Sequence, residues 1–177
     1  MPDIFVGFPA FSYKIFPCAW TLARSHFCKT TSLGAVVMNR MTLNPCITLS
    51  FDGQCQAAFQ VYERCLNGKI TFLLTWGDSP MAKDAPPDWS SKILHATLAV
   101  GNTRLQGSDP LPGSYESPRG FAIKLNPSED DAERLFAELA EGGMVHVPLE
   151  KTFWAPLFGV VTDRFGIPWV INCEKSE

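Results

Sequence analysis

The sequence predicts an α+β domain over residues 41–177, built from two related strand–helix–three-strand halves, at 43–109 and 119–174. Three observations carry this expectation. Each half opens on a short β-rich run followed by an apolar stripe at helical spacing. Each helix ends at a Gly-containing stop. Each half then closes with three β-rich runs, the last two joined by a Gly turn, an internal duplication at the scale that produces pseudo-twofold folds.

The elements follow in order. Residues 44–51 (NPCITLSF) alternate, with Ile47, Leu49 and Phe51 on one face and Cys46, Thr48 and Ser50 on the other, the mark of a half-buried strand. Cys55, Ala58, Phe59, Tyr62 and Leu66 then form one helical stripe. Asn67-Gly68 stops that helix because both residues tolerate positive φ. Residues 69–76 (KITFLLTW) read as the second strand, and 77–91, with three prolines, as a long surface loop. Residues 92–100 form the third strand. Gly101-Asn102 is a hairpin-type turn, and residues 103–108 form the fourth strand.

A Pro/Gly/Ser linker (109–118) separates the halves. Residues 120–125 open the second half. Ser128 with Asp131 makes a capping-box-like helix start, and Ala132, Leu135, Phe136, Leu139 and Ala140 supply the stripe. After Gly142-Gly143 come strands at 144–149, 158–162 and 168–173, the last two joined by the turn Asp163-Arg164-Phe165-Gly166.

Composition bounds the function. The chain has 177 residues, is 46% hydrophobic and 19% charged, and carries a net charge of -3. It can bury a core, and it lacks the clustered Lys and Arg of a nucleic-acid surface. No apolar run reaches the ~18 residues of a membrane helix. Residues 1–40 differ from the rest: Lys14, Arg24, Lys29 and Arg40 face only Asp3. This segment reads as a disordered extension or an over-long translation start, with Met38 or Met41 the natural first residue. None of the six cysteines makes a CxxC pair, so reduced thiols and a cytoplasmic setting are expected.

The run Thr152-Phe153-Trp154-Ala155, Phe158-Gly159 and Thr162-Asp163-Arg164-Phe165-Gly166-Ile167-Pro168-Trp169, supported by Phe51-Asp52-Gly53-Gln54-Cys55, Ala58-Phe59, His95-Ala96 and Gly107-Ser108-Asp109, resembles the PhnB-like branch of the vicinal-oxygen-chelate superfamily. That superfamily includes glyoxalase I, bleomycin- and fosfomycin-resistance proteins and extradiol dioxygenases. The resemblance implies a glyoxalase-like fold of two βαβββ units forming cupped mixed sheets, assembled as homodimers around a small organic ligand. It implies no settled reaction. No Gly-rich cofactor loop supports a methyltransferase.

Glyoxalase-type relatives hold a metal on His or Glu of the first and last strand of each half. The matching positions are Cys46 or Thr48, Gln106, Gly120 and Val170, none a His or carboxylate, so no metal is expected on them and the cofactor is open. His95, on a strand face with Ile93, Thr97 and Ala99, is the candidate acid–base or polar ligand contact. Cys46 is a candidate nucleophile if a base activates it. Thr48, Trp76, Thr97, Gln106, Trp154 and Trp169 are the expected pocket lining. The alternatives are a glyoxalase-type metal enzyme using His95 with unconventional partners, and a non-catalytic binder that sequesters its ligand as resistance proteins do.

Overall fold

The computed structural model describes residues 45–174; the expected N-terminal extension lies outside them. Both halves adopt the expected order. The first contains β1 (Ile47–Ser50), α1 (Cys55–Cys65), β2 (Lys69–Thr75), β3 (Ile93–Val100) and β4 (Thr103–Ser108). The second contains β5 (Ile123–Leu125), α2 (Glu129–Ala140), β6 (Met144–Glu150), β7 (Phe158–Thr162) and β8 (Pro168–Asn172). Each half makes a four-stranded mixed sheet, in the orders β1-β4-β3-β2 and β5-β8-β7-β6. The first strand pairs parallel with the last, and the remaining pairs are antiparallel. The βαβββ repeat is therefore identical in topology across the two halves.

Each helix covers one face of its own sheet. The α1 stripe of Cys55, Ala58, Phe59 and Tyr62 is fully buried, against Leu49, Ala96, Leu98 and Leu105 of the first sheet. Gly107 on β4 lets this helix approach, because a Cβ there would stand 2.3 Å from the Phe59 ring. The helix ends at Asn67, whose φ of 50° lies in the left-handed region that Asn tolerates.

The helices start differently. On α2 the Ser128 hydroxyl accepts from the Asp131 N–H at 3.3 Å, as the capping box predicts. On α1 the local cap position, Gln54, makes no side-chain cap bond. Instead Asp109, 54 positions downstream, accepts the Cys55 N–H at 2.9 Å with one carboxylate oxygen, and the Ile93 N–H at 2.9 Å with the other. The Asp109 carbonyl accepts the Trp76 indole N–H at 2.8 Å. Asp109 thus ties the helix start, β3 and the end of β2 together.

The two helix-covered faces merge in one core containing residues of both halves. Tyr62 is the hinge pin. Its ring meets Trp169 edge-on at 5.2 Å and Phe165 at 6.1 Å. Its hydroxyl donates to Asp163 at 2.6 Å. Asp163 also accepts the Trp169 indole N–H at 2.8 Å and the Phe165 and Ile167 amides at 2.8 and 3.0 Å. A buried carboxylate with four donors is fully satisfied, which is the condition for burying it at all. Burial first, and the Asp163 charge second, raise the Tyr62 pKa and keep the hydroxyl protonated.

Three sequence expectations are corrected. The first strand of the second half begins at Ile123, not Gly120, whose φ is +75°. A register shift between Leu74 and Thr75, opposite β3, turns Ile93 onto the helix side; it is fully buried and does not share the His95 face. The first strand runs only from Ile47 to Ser50.

Two substitutions test this account by chemical denaturation. Tyr62→Phe removes a donor from a buried carboxylate and is expected to cost about 1.5–3 kcal/mol. Gly107→Ala forces a methyl into the Phe59 ring and is expected to cost about 1–3 kcal/mol. A Tyr62→Phe protein as stable as the parent would show that the halves are held together otherwise.

Candidate functional site

With one face of each sheet committed to the shared core, the opposite faces are open. The strand registers fix which side chains meet on the first of them. Lys69 of β2, Ala99 of β3 and Arg104 of β4 stand in one row. Phe72, Thr97, Gln106 and Thr48 make the next row, running β2, β3, β4, β1. Leu74 and His95 pair in the third. Partners across a ladder point to the same side, so these rows share one surface.

The side chains confirm the ladder geometry. Thr48 donates to the Gln106 side-chain carbonyl at 3.3 Å. The His95 Nε2 lies 3.3 Å from the Thr97 hydroxyl, and its ring is 5.8 Å from the Phe72 ring. Phe72 is 49% exposed, so it shields one side of the imidazole and presents the other ring face to solvent. Cys46 is exposed and free; with Arg104, Gln106 and Asn102 it lines a hollow of about 640 Å³ at the edge of this surface. Polar groups beside an aromatic and an aliphatic wall are the usual furniture of a small-molecule site.

The open face of the second sheet is more apolar. Val147, Val160 and Val170 stand in one row across β6, β7 and β8, continued by Lys124 on β5. His146 accepts or donates to the Thr162 hydroxyl at 2.8 Å. Trp154, on the loop after β6, packs edge-on against Phe158 at 5.3 Å and Phe153 at 4.5 Å. Among the described residues, no hydrogen bond, ion pair or ring stack joins the strands of one open face to those of the other.

The structure therefore brings together His95, Thr97, Thr48 and Gln106, with Cys46 at their margin. It places Trp154 on the other half. Trp76 and Trp169 are displaced from the expected lining: both indoles are buried in the core and donate, to the Asp109 carbonyl and the Asp163 carboxylate. The open face of each sheet is the one away from the shared core. Lys69, Phe72, Leu74, Arg104 and Lys124 were not expected in the site. The ladder registers reveal Lys69, Phe72 and Leu74, because the β2 shift between Ile70 and Phe72 re-phases that strand; Arg104 shares the Gln106 face by simple alternation along β4, and Lys124 pairs with Val170.

The metal positions implied by the family resemblance can be placed on the same ladders. Thr48 pairs with Gln106 in the first half, and Lys124 with Val170 in the second. Lys124, not Gly120, is the first-strand residue of the second half. Two neutral oxygens, an ammonium and an alkyl group do not make a divalent-metal donor set. Among the described residues, no three His, Cys, Asp or Glu side chains converge to hold an ion.

Residues 47–171 match the Glyoxalase/Bleomycin resistance protein/Dioxygenase superfamily. The chain belongs to this superfamily. It is 33% identical over 146 residues to Protein YjdN of Escherichia coli (strain K12), covering 77% of this chain and 98% of that protein. It resembles the crystal structure of PA1353 from Pseudomonas aeruginosa with a TM-score of 0.70 at 46% identity, over 76% of this chain and 100% of that one. A PhnB protein from Bacillus cereus, described as a putative 3-demethylubiquinone-9 3-methyltransferase, shares the fold at a TM-score of 0.64 and 16% identity, over 74% of this chain and 99% of that one.

The cysteines give a direct check on the placement. Burial pushes the Cys65 thiol up to about 11, with Glu138 adding to the shift, and burial with Asp109 raises Cys55 further still. Thiolate is the reactive form. Peptide mapping after brief alkylation of the native protein at pH 8 is expected to find Cys46 modified and Cys55 and Cys65 protected until the chain is unfolded. Equal labelling of all three would contradict this packing.

Proposed function

We propose that this protein is a PhnB-like binder of a small organic ligand, which it holds on the first open face with His95 as the central polar contact. The observation that carries this reading is the ordered surface of Thr48, Gln106, Thr97 and His95 beside Phe72 and Leu74. These residues face away from the core, so folding does not need them there. A small number of polar groups set into an apolar wall is what orients a ligand.

The cup is shared between two copies of the chain. Phe72, at 49% exposure, and Val147, at 40%, belong to open faces with no covering layer in one chain, and exposed apolar surface of this kind marks an interaction site. In a homodimer the apolar second face of one copy closes over the polar first face of the other. Turnover of the ligand is a separate question. His95 has the chemistry for acid–base work, and a metal held by His95 with unconventional partners is the glyoxalase-type alternative; a sequestering binder needs neither. The free thiols of Cys46, Cys55, Cys65 and Cys173 fit a reducing, cytoplasmic compartment. Among the described residues no helix is long and apolar enough to cross a membrane.

Light scattering on the purified full chain is expected to give twice the single-chain mass, and Val160→Glu is expected to shift it toward the monomer. A thermal-shift screen of small organic compounds is expected to find stabilising ligands whose effect grows as RT ln(1 + [L]/Kd), about 2.7 kcal/mol at a hundredfold excess. His95→Ala should weaken those ligands about tenfold, or about 1.4 kcal/mol, at unchanged melting temperature of the free protein. A monomer that binds undiminished would exclude the shared cup, and a screen without any stabilising compound would exclude the ligand site.

A further inference from the structure

We infer that the ligand of this cup is an elongated organic anion, its charged end held between Lys69 and Arg104 and its apolar body lying along Phe72 toward His95. This rests on the ligand-cup reading above and adds the chemical class of the molecule.

Lys69 and Arg104 flank Ala99 on adjacent strands. Neighbouring strands lie ≈ 4.8 Å apart, so the two backbones are separated by roughly 10 Å, with only a methyl group between them. Both side chains are exposed, and long enough to converge over that methyl. Arg presents a planar fork suited to a carboxylate or phosphonate, and Lys a point charge beside it.

Neither cation is in an ion pair among the described residues. The mapped rows of this face hold no Asp or Glu: they contain Lys69, Ala99, Arg104, Phe72, Thr97, Gln106, Thr48, Leu74 and His95. The nearest acid on α1, Glu63, is turned to the β2 backbone, accepting the Ile70 N–H at 2.7 Å. Asp52 and Asp78 follow the ends of β1 and β2, at the opposite end of the sheet from Lys69 and Arg104. Two like charges left side by side repel, and an anion relieves that repulsion.

The second sheet repeats the sign. At the strand position where the family resemblance calls for a metal ligand, Lys124 presents an ammonium toward its open face, paired with Val170. Glu150, the acid on that sheet, lies on the opposite edge strand. Lys124 thus adds an exposed cation to the second open face, the same sign that Lys69 and Arg104 give the first.

Ala99 and His95 are four residues apart on β3, roughly 13 Å at ≈ 3.3 Å per residue. A molecule that touches both the cationic row and His95 spans most of that distance, and crosses Phe72 on the way. Acetate and inorganic phosphate are too short to do so.

The test is a matched panel on the full chain, read by thermal shift and calorimetry. Octanoate, 4-phenylbutanoate and octylphosphonate are each compared with an uncharged counterpart: octanamide, 4-phenylbutanamide and dimethyl octylphosphonate. The anions are expected to stabilise the protein, their neutral counterparts to bind at least tenfold more weakly, and added salt to weaken the anions selectively. The carboxylate and phosphonate arms separate the two headgroup sources. The Lys69→Gln/Arg104→Gln protein is expected to lose at least tenfold in anion affinity, while the exposed control Lys83→Gln/Arg119→Gln loses none. Neutral compounds that bind as tightly as the anions, untouched by Lys69→Gln/Arg104→Gln, would overturn the anion and leave the ligand cup standing. Absence of binding by both series would overturn the anion together with its cup.

Discussion

The buried bond from Tyr62 to Asp163 decides how the two βαβββ halves meet. It links the helix of one half to the turn between the last two strands of the other, and it does so where water cannot compete. A phenol of ordinary exposure would exchange such a bond for water at little cost; a fully buried one has no other partner. Trp169 shares the same carboxylate, so the contact fixes a ring pair as well as a hydrogen bond. Because α1 and β8 are locked face to face, the helix sides of both sheets are drawn into one core. The opposite sides of both sheets are left free of that core.

The two halves repeat a topology and not a set of contacts. Each needs a carboxylate near the end of a strand to organise its core, and each obtains it differently. Asp109 follows β4 and reaches back to the start of α1 and to β3, closing its own half. Asp163 follows β7 and reaches both its own turn and the other half. Burial raises the Asp109 pKa, while its backbone donors pull the other way. That carboxylate keeps its two donors by geometry: α1 has no Ser, Thr, Asp or Asn at its own cap position, and without Asp109 its first N–H would be left to solvent or unpaired.

The fold was legible because periodicity and punctuation agree in this chain. The α1 and α2 stripes, Ser128 and the Gly stops each point to the same element as the structure. The site was legible only in part. Thr48, Gln106, Thr97 and His95 alternate within single strands, so period two finds their face. Lys69 and Phe72 were hidden because their cross-strand partners are set by register shifts in β2, which leave no mark in composition; Arg104 shares the Gln106 face by plain alternation and was legible on the same ground. Trp76 and Trp169 misled for a different reason. An indole suits a pocket wall and a core equally, and only the buried acceptors at Asp109 and Asp163 tell the two apart.

A sheet covered on one side frees the other side from the demands of packing. Side chains on the open faces contribute little to the core, so their identity answers to whatever meets them there. On the first face that identity is specific: cations at one end, hydroxyls and an amide in the middle, an imidazole against an aromatic ring at the other. On the second, Val147, Val160, Val170 and Phe158 stand among Lys124, His146 and Thr162. A polar, charged surface alone would be solvated and a purely apolar one would aggregate. An apolar wall beside a polar surface lowers the local dielectric, so that charged and polar groups there interact more strongly than in open water.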